Sequence, residues 1–345
     1  TLLQSRDFLN SLLLYLGLGL AYVGLFVGNP SFAAPAFAPH PEGAPSIIPF
    51  VFFFIACGAA SGFHGLVTSG TTAKQLDREP HARPIGYGGM VAESLLGLLA
   101  TLACTAGFSS SEVWHQHYGS WRSADGLTTK IDAFIQGTTS FIVNLGVSEE
   151  LSSALVAMVV VSFALTTLDS ATRLLRFNIE EISTTVASLF TKTARPSKAL
   201  DLLSPTRSRY VSSALAAAAI AFFAFYEIGD ESTGKRPAAL ALWRLFGTTN
   251  QLLAGLTLLL VTLYLRHRKW PIWPVAIPGL FMMGSTTVAM VGNLASFASG
   301  PSSDPLLLVV GSILAGLALW LVVEAALSLR KPRHTSSVEV FVEQT

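Results

Sequence analysis

The sequence predicts an all-α polytopic membrane protein, a bundle of about eight transmembrane helices, from three observations. Eight apolar segments are each long enough to cross a hydrocarbon core of roughly 30 Å, which takes about 20 residues of helix. The loops between them carry Lys and Arg almost entirely on alternate sides. Hydrophobic residues make up 51% of the chain and charged residues 12%, and the mean hydropathy is +0.54.

The eight predicted spans define a topology with both ends in the cytoplasm. They cover residues 8–28, 47–67, 86–107, 151–168, 210–228, 239–265, 272–295 and 306–329. In this arrangement 17 of the 22 Lys and Arg residues lie in inside loops and four lie in outside loops. The remaining one, Arg244, lies at a membrane boundary. This distribution satisfies the positive-inside rule, which an extra or missing span would break.

The segments outside the spans complete the predicted organisation. Residues 1–330 form the transmembrane domain, and the polar tail 331–345 is expected to be disordered in the cytoplasm. Apolar residues recur at helical spacing within 172–190, which predicts an amphipathic helix along the cytoplasmic interface. Residues 131–147 are too short and too rich in Gly to span, and favour a re-entrant or surface helix. The chain starts at Thr1 close to a span, so we expect a piece of a longer protein.

Composition and motifs exclude several functional classes. A net charge of +1 argues against a nucleic-acid surface. We expect no cofactor and no metal, because His115 and His117 lie in a loop that lacks further ligands at suitable spacing. Cys57 and Cys104 both fall inside spans, where we expect them to pack as small apolar residues. An embedded enzyme would need a nucleophile and base at one depth, and only His64 and Glu93 approach this.

Polar residues within the spans are the candidate functional residues, because they survive in lipid only when they face protein or water. The first group ends the second span, where Gly residues permit unwinding and Ser69, Thr71 and Thr72 offer hydroxyl groups. The alternative is that the Gly residues only pack helices together. His64, in the same run, either relays a proton or bonds a neighbouring helix.

A second candidate is Glu93, about two turns into the third span. A carboxylate at that depth costs roughly 2.5–3.5 kcal/mol on insertion scales, so it should point inward. The functional interpretation is a coupling site that binds and releases a proton. The alternative is a structural partner for a buried donor.

The third group joins the end of the fourth span to the start of the sixth. Thr166 and Thr167 crowd one helix end, where Asp169 and Arg173 can form an i,i+4 ion pair that acts as a gate or as a headgroup anchor. In the sixth span, consecutive polar residues should line a cavity or a helix interface. They are Thr248, Thr249, Asn250 and Gln251.

Five long motifs occur in order between Arg6 and about Leu265. They are RDFLNSLLLYLGLGL, GNPSFAAPAF, SGFHGLVTSGTTAKQLDREPHARPIGYGGMVAESLLG, FALTTLDSATRLLRF and LWRLFGTTNQLLAG. Together they resemble the carbon starvation protein A (CstA) family of bacterial inner-membrane transporters. Members are usually longer, so the resemblance implies a carboxyl-terminal part whose partners include missing amino-terminal spans.

The resemblance implies uptake of peptides or pyruvate during carbon starvation, coupled to a cation gradient with a proton expected. It also implies kinship with the broken-helix transporters of the amino acid–polyamine–organocation superfamily. In this hypothesis Glu93 carries the proton, while groups near 69–72 and 248–250 hold a small carboxylate. The alternatives are a nutrient sensor acting through a partner protein, or a non-transporting fragment of a longer transporter.

Overall fold

The computed structural model of the protein describes residues 2–37, 60–120, 127–191, 208–228, 236–299 and 305–330. Within these ranges the chain is helical apart from connecting segments such as 29–37 and one antiparallel pair of two-residue strands, Glu227–Ile228 and Arg236–Pro237. The helices are α1 (Leu2–Gly28), α2 (Gly62–Val67), α3 (Ala73–Gln75), α4 (Ala82–Ala106), α5 (Ser111–Tyr118), α6 (Leu127–Val143), α7 (Glu149–Thr191), α8 (Arg209–Phe225), α9 (Ala238–His267), α10 (Trp273–Ser299) and α11 (Pro305–Arg330). A π-helical turn, Thr68–Thr72, joins α2 to α3, and a 3-10 turn, Glu79–His81, precedes α4.

Six stretches of helix in the described part of the chain are long and apolar enough to cross a membrane. They are Phe8–Gly28, Glu79–Ala106, Glu149–Val186, Leu245–His267, Trp273–Ala298 and Pro305–Glu324. The fifth predicted span corresponds to α8, whose 17 residues give a length of about 26 Å. Most of the second predicted span, 47–59, lies outside the described residues, as does the tail 331–345. The all-α polytopic class is confirmed, and the count of eight spans stays a prediction.

The described residues form two compact units, Thr1–Pro45 with Ser69–Ile220, and Ser46–Thr68 with Ala221–Thr345. In the first unit, α1, α4, α6 and α7 share an apolar core that includes Leu18, Leu99, Phe141 and Val156. The predicted surface or re-entrant segment 131–147 therefore contains most of a core helix, α6. Gly137 of α6 lies against the α4 backbone so closely that a Cβ would overlap the carbonyl oxygen of Ala103.

In the second unit, α9, α10 and α11 enclose a separate core. It contains Leu245 and Leu252 of α9, Met290 of α10 and Leu307 of α11, all at most 8% exposed. The short helix α2 packs on α9 in the same unit. No residue of α10 is charged, and neither is any residue from Leu245 to Leu265 of α9, so over this length the two helices contribute no charged side chain to their interface.

The predicted fourth span and the predicted amphipathic helix near 172–190 are one continuous helix, α7, of 43 residues. Its sequence contains neither Gly nor Pro, so nothing in it ends the helix between the two parts. A helix of this length extends about 65 Å, roughly twice the hydrocarbon core. Residues 151–168 of α7 include no charged side chain, and charged residues resume at Asp169, which predicts that the carboxyl-terminal half of α7 emerges from the membrane.

Candidate functional site

The polar run of α9 is buried in the second unit although the helix itself is regular. Thr248, Asn250 and Gln251 are 2%, 5% and 1% exposed, and Thr249 is half-buried. The run is therefore buried among the helices of this unit, and the prediction that it lines a cavity or a helix interface stays a prediction. Each of the three buried side chains meets a different environment.

Asn250 caps the amino end of α2 from another helix. Its Oδ1 accepts hydrogen bonds from the backbone N–H of Phe63 at 2.8 Å and from Ser61 Oγ at 3.1 Å. The first N–H groups of a helix lack intrahelical partners, and the Ser61 side chain makes no cap here. Gly62 permits this approach, because a Cβ there would overlap the Asn250 carbonyl oxygen. Gly62 thus packs α2 against α9, and Gly65 of the same run lies against the Thr257 side chain.

Gln251 lies opposite α10 in an antiparallel register. Gly255 meets Met283, Gly279 meets Leu258, and Asn293 Nδ2 lies 3.5 Å from Thr248 Oγ1. This register places Gln251 at the level of about residues 287–289, and residues 283, 286 and 293 share one helix face by their spacing. Gln251 and Thr286 therefore lie within about one helical turn of each other in the α9–α10 interface.

Both of these residues are buried without hydrogen bonds from their side chains. Thr286 is 1% exposed, like Gln251. Neither amide atom of Gln251 nor the hydroxyl of Thr286 has a hydrogen-bond partner within the described ranges. A buried polar group left without a hydrogen bond costs about 1–3 kcal/mol. In this conformation, a polar partner for either side chain would therefore stabilise the interface. We call Gln251, Thr286, Thr248 and Asn293 the α9–α10 polar seam.

The backbone is irregular at the hydroxyl-rich end of the second predicted span, where the sequence leaves both local unwinding and plain helix packing open. Thr68–Thr72 is π-helical and contains the candidates Ser69, Thr71 and Thr72. Such turns recur at functional sites, because they disturb the regular hydrogen-bond ladder. In the first unit this turn packs on α7, where Gly70 lies against the Leu174 side chain.

The polar end of the fourth predicted span contacts α1. Asn10 of α1 donates to Thr166 Oγ1 at 2.8 Å and accepts from Ser162 Oγ at 2.6 Å. Thr166 is thus part of a helix clamp, whereas Thr167 is exposed. One turn further, Arg173 and Asp169 form the expected ion pair at 3.1 Å, with both side chains about 30% exposed. Its role as a gate or as an anchor stays a prediction.

Glu93 and His64 are both exposed in the structure. Glu93 lies on a face of α4 beside Met90, which is also exposed, and away from the core residue Leu99. The expectation that Glu93 points into the bundle is therefore not met within the described residues. Its role as a coupling site stays a prediction, as does that of His64.

His115 and His117, for which the sequence predicts no metal, are residues of α5 and pack against neighbouring aromatic rings. His115 lies against Trp114 with ring centres 5.1 Å apart, and His117 lies against Tyr118 at 4.7 Å. Burial raises the pKa of the Tyr118 hydroxyl, and a hydrogen bond with the Cys104 thiol raises it further. Trp114 Nε1 donates to the Cys104 carbonyl at 3.0 Å. This cluster closes the end of α4 against α5.

The structure groups the predicted site residues by unit. The first unit contains Ser69, Thr71, Thr72, Glu93, Thr166, Thr167, Asp169 and Arg173, and the second contains His64 and the run 248–251. Sequence reasoning missed Asn10, Thr286 and Asn293. The same signal, a polar residue inside a predicted span, marks all three.

Six apolar membrane-length helices and buried polar side chains between them define a multi-pass α-helical membrane protein. The sequence profile described as carbon starvation protein CstA matches residues 1–116 and 115–289. The chain belongs to the carbon starvation protein CstA family.

Curated relatives agree with this assignment. Peptide transporter CstA of Helicobacter pylori (strain J99 / ATCC 700824) is 31% identical over 314 residues, covering 76% of this chain and 42% of the relative. Peptide transporter CstA of Escherichia coli (strain K12) is 30% identical over 344 residues, covering 84% and 46%. Pyruvate/proton symporter BtsT of the same E. coli strain is 42% identical over 110 residues, covering 30% and 15%.

The chain thus spans less than half the length of the curated CstA relatives that it matches. These relatives are named as transporters, which agrees with the expectation that the chain is not an enzyme. No solved structure matches the chain significantly.

Proposed function

We propose that this chain forms part of a secondary active transporter that moves a small carboxylate solute, a peptide or pyruvate, across the bacterial inner membrane. Relatives named for peptide and for pyruvate transport support both solutes. We propose that a cation gradient, with a proton as the expected cation, drives uptake when preferred carbon is scarce. The positive-inside pattern supports cytoplasmic ends.

The single observation that carries this proposal is the α9–α10 polar seam. Gln251 buries both atoms of its amide without hydrogen bonds from the described residues. In an interface that is otherwise neutral and largely apolar, Leu would fill a similar volume at no such cost. A transporter explains the amide, because a state in which the seam is open to water or solute supplies the missing partners.

The π-helical turn at 68–72 supports the same proposal from the first unit. Irregular backbone at membrane depth is tolerated where it is buried in protein or lines an aqueous cavity. We propose that the hydroxyl groups of this turn contribute to solute binding and that Glu93 carries the coupling proton. For the second unit, considered by itself, we propose that Thr248 and Asn250 also contact solute. Broken or irregular helices of this kind build solute sites in the superfamily that the sequence motifs suggest.

Solute uptake into proteoliposomes tests this function. The purified protein is reconstituted, and uptake of radiolabelled Ala-Ala and pyruvate is measured with and without an inward proton or sodium gradient. Gln251→Leu should reduce gradient-driven uptake at least about tenfold, the effect of roughly 1.4 kcal/mol, while its thermal stability stays equal or rises. Thr262→Val is the control, since Thr262 is a buried residue of the same helix whose hydroxyl already bonds the Leu258 carbonyl.

Two results would count against the proposal. Wild-type protein that accumulates neither solute under any gradient contradicts transport by this chain. Gln251→Leu protein with normal uptake removes the polar seam from the mechanism.

The proposed role of Glu93 is tested by a separate variant, Glu93→Gln. This variant should lose the response of uptake to a proton gradient but retain solute exchange. An unchanged response removes Glu93 as the proton carrier.

A further inference from the structure

An open surface groove with a volume of about 350 Å³ lies on the carboxyl-terminal half of α7, in the first unit. It is lined by Lys74 of α3 and by Phe177, Glu180, Glu181, Thr184 and Thr185 of α7. Its volume is at the lower end of the range for small-molecule sites, about 300–1,000 Å³. We call it the α3–α7 groove. None of its lining residues belongs to the α9–α10 polar seam.

The cationic end of the groove is fixed by an aromatic ring. Lys74 Nζ lies 4.8 Å from the centre of the Phe177 ring, and the Arg176 guanidinium carbon lies 4.4 Å from the same centre. Attraction to the face of the ring holds a cation in place while leaving its N–H groups able to bind an anion. The groove therefore presents an oriented ammonium group at one end.

The anionic end is one helical turn further along α7. Glu180 is occupied, because its Oε1 accepts a hydrogen bond from Ser212 Oγ at 2.6 Å and lies 3.9 Å from Arg176 Nε. Glu181 is exposed, and the described residues include no ion-pair partner for it. Glu181 follows Phe177 by four residues, so the two side chains are neighbours on one helix face. The Thr184 and Thr185 hydroxyl groups add uncharged polar lining.

Lys74 and Glu181 both line the groove, and Glu181 lies one helical turn along α7 from Phe177, whose ring holds Lys74. One turn rises about 5.4 Å, and two residues of extended chain span at most about 7 Å. A dipeptide is therefore long enough to extend by one helical turn along this face of α7. Pyruvate has a carboxylate alone and would use only one end.

We propose that the α3–α7 groove binds a zwitterionic solute of dipeptide size, with Lys74 holding the carboxylate and Glu181 the amino group. The inference rests on the proposed transport function and assigns one of its two proposed solutes, a peptide, to a particular groove of the first unit. Because α7 is predicted to emerge from the membrane on the cytoplasmic side here, the groove is a solute site that faces the cytoplasm. Its two opposite charges favour a peptide over pyruvate as the ligand.

Binding of matched analogues to purified protein in nanodiscs without phosphatidylethanolamine tests the groove. Ala-Ala is compared with N-acetyl-Ala-Ala, Ala-Ala-amide and pyruvate by isothermal titration calorimetry. Each cap should weaken binding at least about tenfold. Lys74→Gln should weaken Ala-Ala to the level of Ala-Ala-amide and make the protein insensitive to amidation. Glu181→Gln should do the same for acetylation and leave pyruvate binding unchanged.

Matched controls are Lys130→Gln and Glu150→Gln. Both residues are exposed, and Glu150 lies about 46 Å from Glu181 along α7 at 1.5 Å per residue. Both controls should bind Ala-Ala as the wild type does. Normal thermal unfolding of all four variants shows that any lost affinity is local to the groove.

Three results would overturn the groove as a solute site. These are equal binding of free and capped dipeptides, equal losses in the control variants, and loss of Ala-Ala binding when phosphatidylethanolamine is added. The last result would make the groove a site for the lipid headgroup, which also carries an ammonium and an anionic group. If the binding experiment contradicts the groove while uptake into proteoliposomes is normal, the proposed transport function stands. If binding depends on both free ends of the dipeptide but no uptake occurs, the transport function is contradicted and the groove stands as a binding site.

Discussion

Removal of the Asn250 side chain should unfasten the amino end of α2. Asn250→Ala deletes the acceptor for the Phe63 N–H and for the Ser61 hydroxyl. Loss of a helix cap costs about 0.5–2 kcal/mol, and an N–H left buried and unpaired costs about 1–3 kcal/mol. We therefore expect local opening of α2 to become easier by about 2 kcal/mol, which is roughly a 30-fold change in an equilibrium constant.

Hydrogen–deuterium exchange of the peptide that covers 61–67 measures this change. In Asn250→Ala protein the Phe63 amide should exchange about 30 times faster. Asn250→Asp keeps the acceptor oxygen and places a negative charge at a helix amino end, where it is favourable, so it should retain most of the protection. Thr249→Ala is the control, because the neighbouring hydroxyl is not part of the cap. Unchanged exchange in Asn250→Ala, or equal acceleration in Thr249→Ala, would refute the reasoning.

The remaining predictions concern the first unit. Asn10→Leu should lower stability by about 1 kcal/mol, since interhelical hydrogen bonds in membranes average about 0.6 kcal/mol each; denaturant titration of purified protein checks this, and no loss would mean that the clamp to α7 is dispensable. Gly137→Ala should destabilise by about 1–3 kcal/mol through overlap with the α4 backbone. Gly86→Ala is the control and should not destabilise the protein, because a Cβ there meets nothing within 4 Å. Equal denaturation midpoints for the two variants would contradict the close contact between α6 and α4 at Gly137. Because the folded-state pKa of Tyr118 is raised above its ordinary value, stability should fall as pH rises above about 10, where the unfolded state ionises first. Tyr118→Phe should remove the part of this loss that is due to Tyr118. If melting temperatures of wild-type and Tyr118→Phe protein fall equally above this pH, the loss is not due to Tyr118.

The membrane character of the chain could be predicted because length and hydropathy are local properties. The continuity of α7 could also have been predicted, because Glu149–Thr191 contains neither Gly nor Pro and the sequence therefore gives no reason for two separate helices. The polar run at Thr248–Gln251 was recognised because its polar residues are consecutive. Asn293 stands between a glycine and a leucine, whereas Thr286 lies in a short run of hydroxyl residues, Ser285–Thr287, which is as local a signal as the run in α9.

Other parts of the site depend on which way a side chain faces. Depth in a predicted span shows that Glu93 is costly, but not on which side of α4 it lies. Partners distant in sequence are equally invisible: nothing near Asn10 indicates that its hydrogen bonds are to residues more than 150 positions away. The capping of α2 by Asn250 has the same character. Packing decides these contacts, and the local pattern contains only the polar groups that need them.

Aqueous accessibility of position 251 tests most directly whether the α9–α10 polar seam opens to a solute path. Gln251→Cys is made with Cys57 and Cys104 replaced by Ala, and is treated in membranes with a charged, water-soluble thiol reagent. Leu260→Cys, on an exposed apolar face of the same helix, and the exposed Glu150→Cys serve as negative and positive controls. We expect position 251 to react, and a saturating dipeptide or pyruvate to slow the reaction. A cysteine at 251 that stays unmodified with and without solute and gradient, while position 150 reacts, would contradict the account.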